Sequence, residues 1–152
     1  MLSWLDEAAC AACAARLAAR PALCDAFVEL HGPLGAGKTT FVRHLLRALA
    51  VTGAIKSPTY ALMEPYRAIA GRGGFDIAHF DFYRFDDPQE WEDAGFREVF
   101  ASPGLKLVEW PEKAAALLPR CDLRLDIVPR ADGDARDVRF DAMSARGEEL
   151  LP

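Results

Sequence analysis

Ala26 to Thr40, AFVELHGPLGAGKTT, is the stretch that decides the fold. It contains Gly32-x-x-x-x-Gly37-Lys38-Thr39, the phosphate-binding loop pattern. Phe27 to Leu30 enters it as an apolar run of the kind a buried strand makes. Phe41, Val42, Leu45, Leu46 and Leu49 leave it at three- and four-residue spacing, which predicts a helix. Strand, glycine loop and helix together suit phosphate. Glycines let the backbone curl so that N–H groups point inward, and the helix N-terminus adds positive potential. The expected nucleotide-binding residues are Gly35, Ala36, Gly37, Lys38, Thr39 and Thr40. Lys38 would reach the β- and γ-phosphates, and the Thr39 hydroxyl would bind Mg²⁺. A glycine-rich turn can match this pattern by chance, but the flanking strand and helix weigh against that.

At 152 residues the chain has the length of one domain with one sizeable core, and a single domain over 1–152 is expected. Its 51% hydrophobic and 27% charged residues are those of an ordinary soluble globular protein. No apolar run approaches the length of a membrane span, and no basic region precedes an apolar segment at the N-terminus, so neither a membrane nor a secretory signal is expected. A net charge of −5 argues against a free-standing nucleic-acid binder, although contact with RNA through a partner stays open.

Cys10 and Cys13 form a CAAC, which invites a redox or zinc reading. No second close pair accompanies them and their neighbours are alanines in a helical pattern. Small buried thiols on one helix face fit better, and Cys24 and Cys121 are read the same way. The implied compartment is reducing, hence cytoplasmic.

Outward from the loop, Ser3 to Arg20 reads as a helix with Ser3 and Asp6 spaced for a capping box, and Pro21 stops it. The helix after the loop should end near Thr52-Gly53. In Lys56-Ser57-Pro58-Thr59-Tyr60 the proline pushes Ser57 to an extended conformation. The segment occupies the place of a γ-phosphate-sensing loop, yet taken by itself it reads better as an ordinary Ser-Pro turn. From Tyr60 to Phe85 two extended runs joined by Gly71-Arg72-Gly73-Gly74 predict an antiparallel hairpin. Phe80 and Phe82 face one way, and His79, Asp81 and Tyr83 the other. That polar set is either an ion-pair network on a wet face or a functional site, and spacing leaves both open.

Asp86-Asp87-Pro88 opens a helix interrupted near Gly95, and Ser102-Pro103-Gly104 is a turn. Leu105 to Val108 is a short strand delivering Glu109 at its C-terminal end. A carboxylate there, on a strand beside the phosphate loop, holds Mg²⁺ directly or through water. A helix from Pro111 to Leu118 follows. Cys121 to Val128 and Arg136 to Met143 form a closing hairpin joined over Arg130 to Asp134, and residues 144–152 read as a loose tail.

Four separated motifs therefore stand in order: HGPLGAGKTTF (His31 to Phe41), KSPTY (Lys56 to Tyr60), HFDFYR (His79 to Arg84) and LVEWPEK (Leu107 to Lys113). Together they resemble the bacterial TsaE (YjeE) family, small ATPases required for making threonylcarbamoyladenosine, the modified base next to certain tRNA anticodons. The resemblance spans nearly the whole chain, including DDPQEWEDAGFREVF (Asp86 to Phe100) and the final hairpin. It implies an α/β fold of the P-loop NTPase kind, with a central parallel sheet flanked by antiparallel strands and helices on both faces.

By the same resemblance the ligands are ATP and Mg²⁺. Thr39 and Glu109 hold the metal, and Lys38, Asp81 and Glu109 are the catalytic set. Asp81 orients the attacking water or the metal shell, and Ser57 to Thr59 respond to the nucleotide. Trp110 and Arg84 match family positions without an assigned task. The implied partners are TsaD and TsaB, with tRNA reached only through them. The chain departs from the family at Pro33, where an acidic residue is usual, which puts any role of that side chain in doubt. The expected activity is ATP hydrolysis, slow in the isolated chain, driving a conformational or association step. Two other readings share the loop: a small-molecule kinase, for which the chain leaves little room for an acceptor site and lid, and a binding module that holds ATP without turning it over.

Overall fold

The computed structural model describes residues 1–58, 60–69, 73–131 and 133–152. Thr59, Gly71, Arg72 and Asp132, on which parts of the expected switch segment and hairpin turns fall, lie outside the described residues.

β2 (Phe27–His31) is the keel of the molecule. It pairs in parallel on both sides, with β5 (Leu105–Glu109) and with β6 (Leu123–Pro129). A strand covered on both faces has no use for alternation, which is why Phe27 to Leu30 reads as an unbroken apolar run apart from Glu29. β4 (Phe75–Asp81) adds in parallel to β5. Antiparallel strands complete the edges: β3 (Met63–Ala68) on β4, β7 (Arg136–Ala142) on β6, and β1 (Leu2–Trp4) on β7. Among the described residues the strand order is β1-β7-β6-β2-β5-β4-β3. This is the parallel centre with antiparallel flanks that the resemblance implied.

Helices cover both faces. On one, α1 (Glu7–Ala18) and α2 (Lys38–Ala48) bury Cys13, Ala14, Leu17, Phe41, Leu45 and Leu46 against Leu30, Leu107 and Leu125. On the other, α3 (Pro88–Asp93) and α4 (Phe96–Ala101) build an aromatic core. Phe100 stacks on Phe80 at 4.7 Å and on Trp91 at 5.5 Å, and Phe96 meets Trp91 edge-on at 5.6 Å. Aromatic pairs at such separations contribute beyond their buried area.

Several expectations are corrected. Leu2 to Trp4 is not helical: it pairs with β7, and Trp4 is buried with its ring stacked 5.3 Å from Phe41. The cap is therefore Asp6, whose carboxylate accepts from Ala9 N at 2.9 Å, while the Ser3 hydroxyl bonds Asp137. α2 ends at Ala48, with Leu49 as its C-cap, rather than near Gly53, because Ala50 itself takes the left-handed conformation at φ 61° and Val51 N closes on Leu46 O. Pro111–Ala114 is a 3₁₀ turn and not the start of a helix to Leu118, since so short a run between Trp110 and Pro119 gains little from helical hydrogen bonds. Cys24 is exposed, because the 3₁₀ turn Pro21–Asp25 points Leu23 inward instead. Cys10, Cys13 and Cys121 are buried and free, and burial pushes the Cys10 and Cys121 thiols up to about 12, which makes them inert.

Residues 144–152 are anchored rather than loose. Ser144 caps α5 (Ala145–Glu148) by accepting from Gly147 N, and its hydroxyl donates to Asp122 at 2.7 Å. Leu150 is 1% exposed within the α1–α2 core, and Arg20 donates to Leu151 O. Leu150→Ala is expected to destabilise the fold by about 2–5 kcal/mol, the range for emptying a buried leucine site. Urea denaturation checks it, and an unchanged midpoint would mean the tail does not pack.

Candidate functional site

β2, β4 and β5 end at one level. Leu30 pairs with Glu109, and Glu109 with Asp81. Everything that follows these three strands therefore emerges along one edge, the carboxyl end where open α/β sheets place ligands. The glycine loop leaves β2 there, Trp110 leaves β5, and Tyr83 and Arg84 leave β4.

The loop turns on residues that need special backbone. Gly32 has φ 151°, and a Cβ on it would stand 2.4 Å from the Ile127 carbonyl oxygen, so only glycine passes β6 at this point. Gly37, at φ 107°, is the residue before α2, and no side chain caps that helix. The first-turn N–H groups of an uncapped helix have no intrahelical acceptor, and α2 carries no acidic residue there to offset their positive potential. Ala36 differs from its neighbours: its N–H is donated to Pro33 O at 3.0 Å, and its carbonyl accepts from Arg136 Nε at 2.7 Å. Pro33 thus supplies its backbone carbonyl to the loop.

Lys38 is buried, with its ammonium on the Gly32 and Pro33 carbonyls and 3.6 Å from the centre of the Trp110 ring. Burial lowers its pKa, and the Glu109, Glu112 and Asp81 carboxylates oppose that only in part. Trp110 adopts a left-handed conformation at φ 57°, which puts its indole under the ammonium and 4.9 Å from Tyr83. Bulky residues enter that region at a cost, and such outliers concentrate at functional sites.

Thr39 Oγ1 donates to Glu109 Oε1 at 2.8 Å, and His79 Nε2 bonds Glu109 Oε2 at 2.7 Å. His79 and Glu109 are 1% and 2% exposed. Asp81 is buried as well, and its Oδ1 accepts from Tyr83 N at 3.0 Å. The polar face of β4 is therefore dry, directed at the loop, while Phe80 and Phe82 go to the aromatic core. Burial raises the Asp81 pKa, and the neighbouring Glu109 carboxylate adds to the rise. A carboxyl displaced in this way inside a cleft marks a site candidate.

Asp81 and Glu109 line a cleft of about 560 Å³ with Gly35 to Thr40, Ser57, Tyr83, Arg84, Trp110 and Arg136. A second recess of about 270 Å³, bordered by Asp6, Glu7, Asp134 and Arg136, shares Ala36, Gly37 and Thr40 with it. Lys38, Thr39, Asp81 and Glu109, expected to act together, do converge. Arg136 went unnoticed in the sequence because it lies 100 residues from Ala36, and only the strand order carries it to the loop. Arg84 stays at the rim, its guanidinium 5.2 Å from the centre of the Tyr60 ring.

A family model described as "Threonylcarbamoyl adenosine biosynthesis protein TsaE" matches residues 5–138. The chain is 41% identical over 124 residues to the tRNA threonylcarbamoyladenosine biosynthesis protein TsaE of Haemophilus influenzae, covering 82% of this chain and 75% of that protein. It is 37% identical over 123 residues to the Bacillus subtilis protein of the same name, covering 81% and 73%. Among solved structures it resembles YdiB of Bacillus subtilis, with a TM-score of 0.72 and 30% identity over 98% of this chain and 90% of that one.

Proposed function

This chain belongs to the TsaE family, and on that premise we propose that it binds and hydrolyses Mg·ATP as a subunit of the threonylcarbamoyladenosine-forming system, acting on TsaD and TsaB. The observation that carries the reading is the convergence of an uncapped helix N-terminus, Lys38, Thr39, Glu109 and Asp81 in one cleft.

The donor set suits Mg²⁺. Thr39 Oγ1 and Glu109 Oε1, two hard oxygens 2.8 Å apart, would hold it, and such a site leaves positions for water and phosphate oxygens. When bound, the ion offsets charge on the β- and γ-phosphates. The remaining work is the chain's own. The first-turn amides of α2 grip the phosphates, and Lys38 exchanges its carbonyl contacts for phosphate oxygens. Asp81, held by Tyr83 N, orients the water that attacks the γ-phosphorus. The nucleoside extends into the recess beside Asp6 and Glu7, where carboxylates meet hydroxyl and amino groups better than phosphate.

The arginines lining the cleft are engaged elsewhere: Arg84 on the Tyr60 ring, Arg136 on the Ala36, Asp134 and Ala135 carbonyls. An arginine finger contributes ~10³–10⁵ in rate to such sites. Turnover by the isolated chain should accordingly be slow and rise when partners cover the cleft. Phosphate release measured for the chain alone and with TsaD and TsaB added tests this. No release in either case would leave a module that holds ATP only as a ligand. Transfer to an added acceptor faster than to water would make the chain a kinase.

A further inference from the structure

We infer that His79 is a positioning residue for Glu109: its Nε2–H fixes one carboxylate oxygen so that the other is presented, singly and always in the same orientation, to a divalent cation beside Thr39. The inference rests on the Mg·ATP reading above and extends it to a residue that reading leaves without a task.

The register of β4 and β5 makes the contact possible. Asp81 lies opposite Glu109 and His79 opposite Leu107, so His79 stands one step back on the same face and reaches diagonally to Glu109. The bond is 2.7 Å between two side chains almost wholly out of water. With Glu109 ionised, Nε2 carries the hydrogen. Nδ1 has no partner among the described residues. A leucine would fill this place, between Ile77 and the buried Leu107, without an orphaned ring nitrogen, so packing alone gives no reason for histidine here.

Glu109 needs the bond. A buried carboxylate must have each oxygen engaged. Oε1 has the Thr39 hydroxyl, which a cation would claim for itself. Oε2 then has His79 alone among the described residues, and that bond stops the carboxylate from rotating to chelate through both oxygens. Outer hydrogen bonds of this kind tune metal affinity without touching the metal.

The test measures binding of a non-hydrolysable ATP analogue, adenylyl-imidodiphosphate, to the full chain by calorimetry with and without Mg²⁺. His79→Leu should keep the metal-free affinity and lose ~10–100-fold of the Mg²⁺ enhancement, the usual effect of removing such a partner. His79→Gln, whose amide donor reaches the Nε2 position, should restore the enhancement, and His79→Asn, one carbon shorter, should not. The Gln and Asn pair also decides the matter should His79→Leu fail to fold, because a merely structural role would not separate two polar variants that both melt cooperatively. Enhancement kept in His79→Leu, or equal behaviour of Gln and Asn, overturns this inference alone. A wild-type chain indifferent to Mg²⁺ overturns the metal assignment and this inference together.

Discussion

Lys38→Ala is expected to remove ATP hydrolysis, lowering phosphate release in the presence of partners by at least ~10², the scale of losing one charged stabiliser in a water-excluded site. The ammonium is poised rather than idle: it borrows the Gly32 and Pro33 carbonyls and the Trp110 face, neutral partners that a phosphate would outcompete. Lys38→Met separates catalysis from stability. Burial holds the Lys38 pKa below its ordinary 10.5, so the charged form costs the folded state stability at every pH beneath that depressed value. A methionine keeps the stem and removes the cost, and its melting temperature at pH 7 should match or exceed that of the parent. Parental phosphate release from Lys38→Ala would show that the cleft is not where the triphosphate reacts.

Asp81→Asn is expected to lower turnover ~10²–10⁴-fold, the contribution of a positioned acid or base, while Mg·ATP still binds. The amide oxygen can accept from Tyr83 N as the carboxylate does, so the local turn survives. The direction of the pKa shift adds two consequences. Because the folded-state value is raised above 3.8, the folded chain holds the proton over a window in which the unfolded chain has lost it. Stability contributed by the protonated form is thus lost as pH rises through that window, and at pH 7 the ionised Asp81 is a net cost. Asn removes that cost, so the variant should melt higher than the parent while turning over less. The wild-type rate should also fall on acidification at a higher pH than an ordinary aspartate would set. Equal losses of binding and turnover, or a lowered melt, would assign Asp81 to structure instead.

Part of this site could be read before any fold was known. The glycine loop is legible because its spacing is set by local backbone chemistry. The helix after it is legible because Phe41, Val42, Leu45 and Leu46 repeat on one face. Alternation in β4 separated Phe80 and Phe82 from His79 and Asp81 correctly, and the register shows why: one face meets the aromatic core, the other the loop. What alternation does not contain is whether the polar face is wet. That depends on β5, which brings Glu109 alongside from 28 residues further on. The same limit hid β1. Leu2-Ser3-Trp4 has too few residues to announce a strand, and only the free edge of β7 gives it one to join.

What the residues determined unaided is whatever depends on neighbours within a few positions: the loop, the amphipathic helix behind it, the helix start at Asp87-Pro88 and the hairpin at the end. Tertiary structure decided everything that requires two distant segments to meet. It brought Arg136 to Ala36, His79 to Glu109 to Thr39, Trp110 under Lys38, and Leu150 into the core. The reason is one of range. Backbone preferences act over a turn or two of chain, whereas burial and pairing act through space, and a parallel sheet joins strands that the sequence keeps far apart.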